Sequence, residues 1–109
     1  MTHNNYDRVT LPDAICSTRP TISTILQVSE SDILFDFEFD NNEKLEIIIV
    51  RCKTETDKMF TYRLINGYVE TTYWSQFMGT KLSNLQAYVQ IANTIQRAAT
   101  FAGAIGRKD

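Results

Sequence analysis

Histidine and cysteine are scarce in this chain of 109 residues. His3 is the single histidine, and neither Cys16 nor Cys52 has a partner at the short spacing that zinc sites use. The first residues lack the basic start and the apolar stretch of a secretory signal, so we expect a cytoplasmic protein with free thiols. The sequence predicts no metal site.

Long apolar runs, glycine-rich loops and excess positive charge are also missing. The longest apolar run, Ile47–Val50, is far shorter than the roughly 20 residues that cross a membrane. The four glycines are spaced as turns and caps, which leaves no loop to hold a phosphate-bearing cofactor. A net charge of −2 provides no general field for nucleic acid. We therefore expect no cofactor, no membrane association and no enzymatic activity.

The remaining composition is that of one folded domain. Apolar residues make up 43% and aromatic residues 11% of the chain, which is enough to form a core. A chain of 109 residues is too short for two domains that each bury a core. We divide residues 1–109 into an irregular N-terminal arm (1–20), with room for one short turn of helix after Pro12, an antiparallel sheet (21–74) and a helix (83–102).

Alternating and β-branched segments predict the first strands. Residues 22–28 are β-branched and half apolar, which favours a strand. In residues 33–39, Ile33 and the three phenylalanines share one face, and a polar turn then leads to a strand over 45–51. We expect these last two strands to form a hairpin.

A second hairpin is predicted around Asn66-Gly67, because a two-residue turn with positive φ at both positions favours this dipeptide. The turn sets the register of strands 59–65 and 68–74. The expected pairs are Ile65 with Tyr68, Leu64 with Val69, Arg63 with Glu70, Tyr62 with Thr71 and Phe60 with Tyr73. One face then carries Phe60, Tyr62, Leu64, Val69 and Tyr73.

A long C-terminal helix is expected to cover that face. Ser83 to Gln86 has the pattern of a capping box, and Gly103 is expected to cap the other end. The predicted inner stripe is Leu85, Tyr88, Val89, Ala92, Ile95 and Ala99. The fold class is thus α+β, an antiparallel sheet of about five strands, a meander of two hairpins, packed against one long helix.

The sheet face away from the helix is predicted to be too apolar for water. Its expected apolar side chains are Leu34, Ile48, Val50, Ile65, Tyr68 and Trp74. Something is expected to cover part of this face: the N-terminal arm, a second copy of the chain or another protein. Alanines on the helix also permit close packing, so we expect a homodimer.

Two groups of residues suggest other chemistry. Asp36, Glu38 and Asp40 alternate along one strand and suggest a metal or acid/base site, although a solvated strand face has the same pattern. Tyr62, Tyr68, Tyr73 and Trp74, with Arg63, suggest a stacking platform for single-stranded nucleic acid. Cys52 lies between Arg51 and Lys53 but has no predicted base beside it.

The function that these features favour is non-enzymatic protein–protein interaction, as an inhibitor, adaptor or assembly factor of the immunity or viral and phage accessory type. The expected partner-binding residues are Tyr68, Trp74, Arg63, Glu70 and Glu38. The alternatives are a single-stranded nucleic-acid-binding protein that uses the aromatic hairpin, and a small acid/base or metal-dependent enzyme that uses Asp36 and Glu38.

Overall fold

The computed structural model of the chain describes residues 11–55, 58–70 and 82–102, and side chains of the last segment from Leu85 onward. Residues 11–16 form helix α1. The other elements are α2 (Arg19–Leu26), β1 (Ile33–Phe39), β2 (Leu45–Cys52), β3 (Met59–Ile65), β4 (Tyr68–Glu70) and α3 (Leu82–Phe101). The strands form one antiparallel sheet in the order β1-β2-β3-β4. The α+β class is confirmed, with four strands in the described part of the chain where about five were expected.

The segment predicted as the first strand is helix α2. Pro20 stands in its first turn, where the missing N–H costs nothing, and Ile22 and Leu26 are buried one helical turn apart. Gln27 ends the helix in the left-handed conformation, and the N–H groups of Gln27 and Val28 bond back to Thr24 and Ser23. The β-branched composition misled the prediction because burial of one helical face outweighs intrinsic propensity.

The predicted irregular arm is also partly helical. Ile15 of α1 is fully buried in the core, and the Ser17 and Thr18 hydroxyls donate to the carbonyls of Ala14 and Ile15 at the junction with α2. Residues 1–10 lie outside the described part of the chain.

The first hairpin forms as predicted, with a different face of β2 turned inward. Phe35 pairs with Val50 and Phe37 with Ile48, so Ile48 and Val50 lie on the phenylalanine side and are fully buried. The prediction that these two residues face away from the helix was wrong. A run of four apolar residues does not reveal which alternate pair is buried, and a bulge between Glu38 and Phe39 shifts the register near the turn.

The second hairpin confirms the predicted register. Arg63 pairs with Glu70, Leu64 with Val69 and Ile65 with Tyr68, and both Asn66 and Gly67 have positive φ (53° and 83°). The pairs predicted for Thr71 and Tyr73 lie outside the described residues.

Helix α3 covers the inner face of the sheet. Its buried residues are Ala87, Tyr88, Ile91, Ala92, Thr94, Ile95, Ala98 and Ala99. Val89, predicted on the inner stripe, is 48% exposed because Ile91 and Ile95 take the inner positions. The helix already includes Leu82, so Ser83 is a helical residue and not the predicted N-cap, and Gly103 is outside the described residues. No described helix is long and apolar enough to cross a membrane.

Tyr62 joins the sheet to α3 at the centre of the core. Its ring is fully buried and stacks on Tyr88 with centroids 4.7 Å apart, and its hydroxyl donates to the Tyr88 carbonyl at 2.8 Å. Burial, reinforced by the neighbouring Tyr88 hydroxyl, raises the pKa of Tyr62 far above its usual value.

The turn geometry predicts the effect of changing Gly67. Replacement by valine should lower the free energy of unfolding by about 1–3 kcal/mol, because a β-branched residue is strained at positive φ. Gly67→Asn, which tolerates this region, is the matched control and should cost less. Urea unfolding measures both, and an unchanged midpoint for Gly67→Val would contradict the turn.

The burial of Tyr62 predicts that the difference in unfolding free energy between the parent and Tyr62→Phe depends on pH. Near neutral pH the variant should be less stable by about 1 kcal/mol, since it loses the hydrogen bond to the Tyr88 carbonyl. Above about pH 10 the unfolded chain releases the Tyr62 proton while the folded chain retains it, so the parent loses about 1.4 kcal/mol per pH unit through this group. The gap should therefore close or reverse as pH rises through about 11. Parallel stability curves for the two proteins in urea would contradict this assignment.

Candidate protein-binding surface

The helices cover one side of the sheet and leave the other uncovered by any described element. We call this second side the open face. Its described residues are Leu34, Asp36 and Glu38 of β1, Ile47, Ile49 and Arg51 of β2, Met59, Thr61, Arg63 and Ile65 of β3, and Tyr68 and Glu70 of β4. All belong to the strand positions that alternate with the buried ones.

Apolar side chains form much of the open face. Tyr68 is 58% exposed, Met59 48% and Ile65 43%. Ile47 and Ile49 lie half-buried in the middle, where charged and polar neighbours on both adjacent strands flank them. These apolar side chains lie on a surface where a one-sided sheet normally presents polar residues.

Charged side chains of both signs are interspersed with the apolar ones. Arg51 donates from Nε to the Asp36 carboxylate at 2.9 Å, in an ion pair whose two side chains are about half exposed. Ile47 is placed between Glu38 and Arg63 in the strand register, and Glu70 lies opposite Arg63 on the next strand. The open face thus alternates apolar, acidic and basic groups over short distances.

Four of the five predicted partner-binding residues meet on this face. Glu38, Arg63, Tyr68 and Glu70 all belong to it, and Trp74 lies outside the described residues.

Sequence reasoning missed Ile47, Ile49 and Met59. The alternation of Phe60, Tyr62 and Leu64 contains the signal for Met59, since its neighbour Phe60 faces inward. No such signal exists for Ile47 and Ile49, which lie within a continuous apolar run.

The acidic row does not form the predicted arrangement. Asp36 and Glu38 share the open face, but the Asp40 carboxylate accepts hydrogen bonds from the backbone N–H groups of Asn42 and Lys44 in the turn, at 2.8 and 2.9 Å. The described residues contain no group of three or more potential metal ligands. Asp36 is held by Arg51, so its carboxylate is oriented by an ion pair.

The cysteines lie apart from the open face. Cys52 is buried, with Sγ 3.4 Å from the Thr54 hydroxyl. Burial raises the pKa of the Cys16 thiol, with Arg19 acting in the opposite direction and Asp13 adding to the rise. A raised pKa keeps this thiol protonated and unreactive near neutral pH.

The aromatic platform suggested for nucleic acid is divided between the two sides of the sheet. Tyr62 is fully buried beneath α3, while Tyr68 is on the open face. Tyr73 and Trp74 are outside the described residues. Among the described aromatic residues of this group, only Tyr68 is available to stack on a base.

A wide hollow of about 700 Å³ lies at the turn end of the sheet. Its lining includes Asp40, Lys44, Glu46 and Arg63, with Leu11 of α1 at its margin. Both signs of charge are present without a convergent set of groups of one kind, so the lining does not indicate a particular small ligand.

Comparison with protein-family models gives no match for this sequence, and comparisons with curated proteins and with solved structures give no significant match. The functional argument rests on the side chains of the open face.

Proposed function

We propose that this chain is a non-enzymatic protein–protein interaction module, an inhibitor, adaptor or assembly factor, whose open face is its binding surface. The observation that carries the proposal is the group of exposed apolar side chains on that face, with Tyr68, Met59 and Ile65 beside the half-buried Ile47 and Ile49. Burying such a group against another protein removes apolar area from water, which is the main favourable term in association.

A second copy of the chain is the proposed occupant of the open face. In a two-fold symmetric contact the same patch lies on both sides, so it must be complementary to itself. A patch of a single charge sign would repel its copy. The open face carries acidic Glu38 and Glu70 together with basic Arg63 around an apolar centre, which allows opposite charges to meet across a symmetric interface.

Tyr68 is the proposed anchor of the interface. It is the most exposed apolar residue described on the open face, and it stands beside the turn that Asn66 and Gly67 hold in place. Tyrosine buries a large area at a small cost in side-chain entropy and is enriched at the residues that dominate binding energy. Arg63 and Glu70 next to it provide charged groups at the margin.

The first prediction from this proposal concerns mass in solution. Light scattering coupled to size exclusion should give a molar mass that rises toward twice the chain mass of 12.5 kDa as the protein concentration increases. A monomer mass that stays constant from low micromolar to near-millimolar protein would reject the homodimer.

The second prediction concerns the anchor. Tyr68→Ala should weaken the dimer by about 2 kcal/mol or more, roughly thirtyfold in the dissociation constant, without unfolding the chain. Phe101→Ala is the matched control, because Phe101 is 91% exposed at the end of α3, away from the open face. Sedimentation equilibrium with circular dichroism measures both, and equal dissociation constants for the two variants would show that Tyr68 is not the anchor.

Two further outcomes would redirect the assignment. Binding of a labelled single-stranded oligonucleotide that weakens steeply with salt would favour the nucleic-acid alternative. Stoichiometric binding of a divalent cation that is lost in Asp36→Asn and Glu38→Gln would favour the enzymatic one.

A further inference from the structure

The two edges of the sheet carry different backbone hydrogen bonds, and a side chain of α3 bonds part of the β4 edge. Val69 and Leu64 form a non-hydrogen-bonded pair, so the Val69 N–H points away from β3. The Gln96 side-chain oxygen accepts from this N–H at 2.7 Å, and its Nε2 donates to the Gly67 carbonyl at 3.3 Å. A side-chain amide thus stands where the peptide group of a neighbouring strand would lie.

The backbone groups of Ile33, the first residue of β1, are also hydrogen-bonded within the chain. The Ile33 N–H donates to the carbonyl of Glu30, and the Ile33 carbonyl accepts from the guanidinium of Arg19. The same guanidinium lies 5.0 Å from the centroid of the Phe35 ring. The chain therefore satisfies its own backbone up to the start of the strand.

Beyond Ile33 no described element pairs with the outer edge of β1. The Lys53 N–H donates to the Asp32 carbonyl at 2.7 Å, so the even-numbered residues of β1 are the ones that bond to β2. Phe35 and Phe37 therefore direct their N–H and C=O groups away from β2. No backbone hydrogen bond involves these outward groups in the described part of the chain. Two donors and two acceptors remain in one row, as a sheet edge presents them to an added strand.

The side chains beside this row differ on the two sides of the sheet. On the helix side, the rings of Phe35 and Phe37 are half-buried and stacked with centroids 6.3 Å apart. On the open face, Asp36 is paired with Arg51, whereas Glu38 is exposed and forms no ion pair with a described residue. An added strand would meet the two phenylalanine rings, with Arg19 beside Phe35, on one side, and the Glu38 carboxylate beside the Asp36–Arg51 pair on the other.

We propose that β1 binds an extended, basic segment of another protein, which adds to the sheet beside β1. Backbone hydrogen bonds to Phe35 and Phe37 provide the affinity, and alternate side chains provide the specificity. The segment places apolar side chains next to the two phenylalanines and Lys or Arg opposite Glu38, the carboxylate that Arg51 does not hold, because neighbouring residues on paired strands share a face.

The charges argue against a second copy of β1 as the occupant. The antiparallel register that pairs Phe35 of each copy with Phe37 of the other places Asp36 opposite Asp36. If one copy of β1 is shifted by two residues in one direction, Asp36 lies opposite Glu38. If it is shifted in the other direction, the pairing needs the backbone groups of Ile33, which are already hydrogen-bonded. Carboxylates along a sheet edge oppose self-pairing and favour a basic strand.

The probe is a blocked, fluorescent peptide of about eight residues that alternates valine and lysine, a length typical of a strand. It should bind saturably, and the amide resonances of Phe35 and Phe37 should shift and exchange more slowly with solvent. Two variants of the peptide carry methyl groups on the backbone nitrogens of one edge or of the other. Methylation of the edge that faces β1 should lower the affinity by about tenfold or more, whereas methylation of the opposite edge should not lower it. The proposal is overturned if the peptide does not bind at millimolar concentration, or if both methylated peptides bind equally and the Phe35 and Phe37 amide resonances do not move.

A charge reversal tests the specificity. Glu38→Lys should weaken the basic peptide by about fivefold or more and strengthen a peptide that alternates valine and glutamate. Glu43→Lys, in the exposed β1–β2 turn, makes the same change in net charge and should alter neither affinity by a comparable factor. Equal effects of the two variants would mean that net charge alone attracts the peptide, which contradicts recognition at β1.

This inference does not require the homodimer, although Glu38 belongs to both surfaces, and Tyr68 separates the two proposals. Tyr68→Ala, which should disrupt the dimer, should leave the affinity of the valine–lysine peptide unchanged. Loss of peptide binding in Tyr68→Ala at a protein concentration where the parent is dimeric would place the peptide on the open face and overturn the assignment to the edge of β1.

Discussion

The described helices all cover the same side of the sheet, and the rest of the described structure follows from this constraint. Ile22 and Leu26 of α2 and Ile91 and Ile95 of α3 are buried in the same core as Tyr62 on the inner side of the sheet. Every described helix is used on that side. The open face therefore keeps exposed apolar residues that a monomer would normally bury or replace with polar ones.

Single side chains connect the two layers and bond individual backbone groups at the edges of the sheet. Tyr62 joins β3 to α3, and Arg19 joins α2 to the start of β1. Gln96 bonds the outer edge of β4, and Lys58 donates to the last carbonyl of α2, that of Leu26, at 3.2 Å. These bonds satisfy backbone groups that water or another chain would otherwise meet. In the described part of the chain, no such bond reaches the outward backbone groups of Phe35 and Phe37 in the middle of β1.

The open face and the β1 edge offer a partner different kinds of contact. The open face presents side chains, with Tyr68 and Met59 exposed among charges of both signs, and suits burial of apolar area. The edge presents backbone groups of Phe35 and Phe37, with the carboxylates of Asp36 and Glu38 beside them. Glu38 belongs to both, because it lies on the outermost strand and points to the uncovered side. The two proposed binding surfaces therefore rest on different physical interactions, burial of apolar area and backbone hydrogen bonding.

The sequence by itself determined what local rules control. A two-residue turn needs positive φ at both positions, which Asn66-Gly67 tolerates, and this turn set the register of its hairpin. The alternation along Ile33–Phe39 identified a strand. Tertiary structure decided the rest. Residues 19–26 became a helix because burying Ile22 and Leu26 outweighed β propensity, and packing chose Ile48 and Val50 over Ile47 and Ile49 within a run that has no alternation to read. The surface proposed for binding is what remained after those choices.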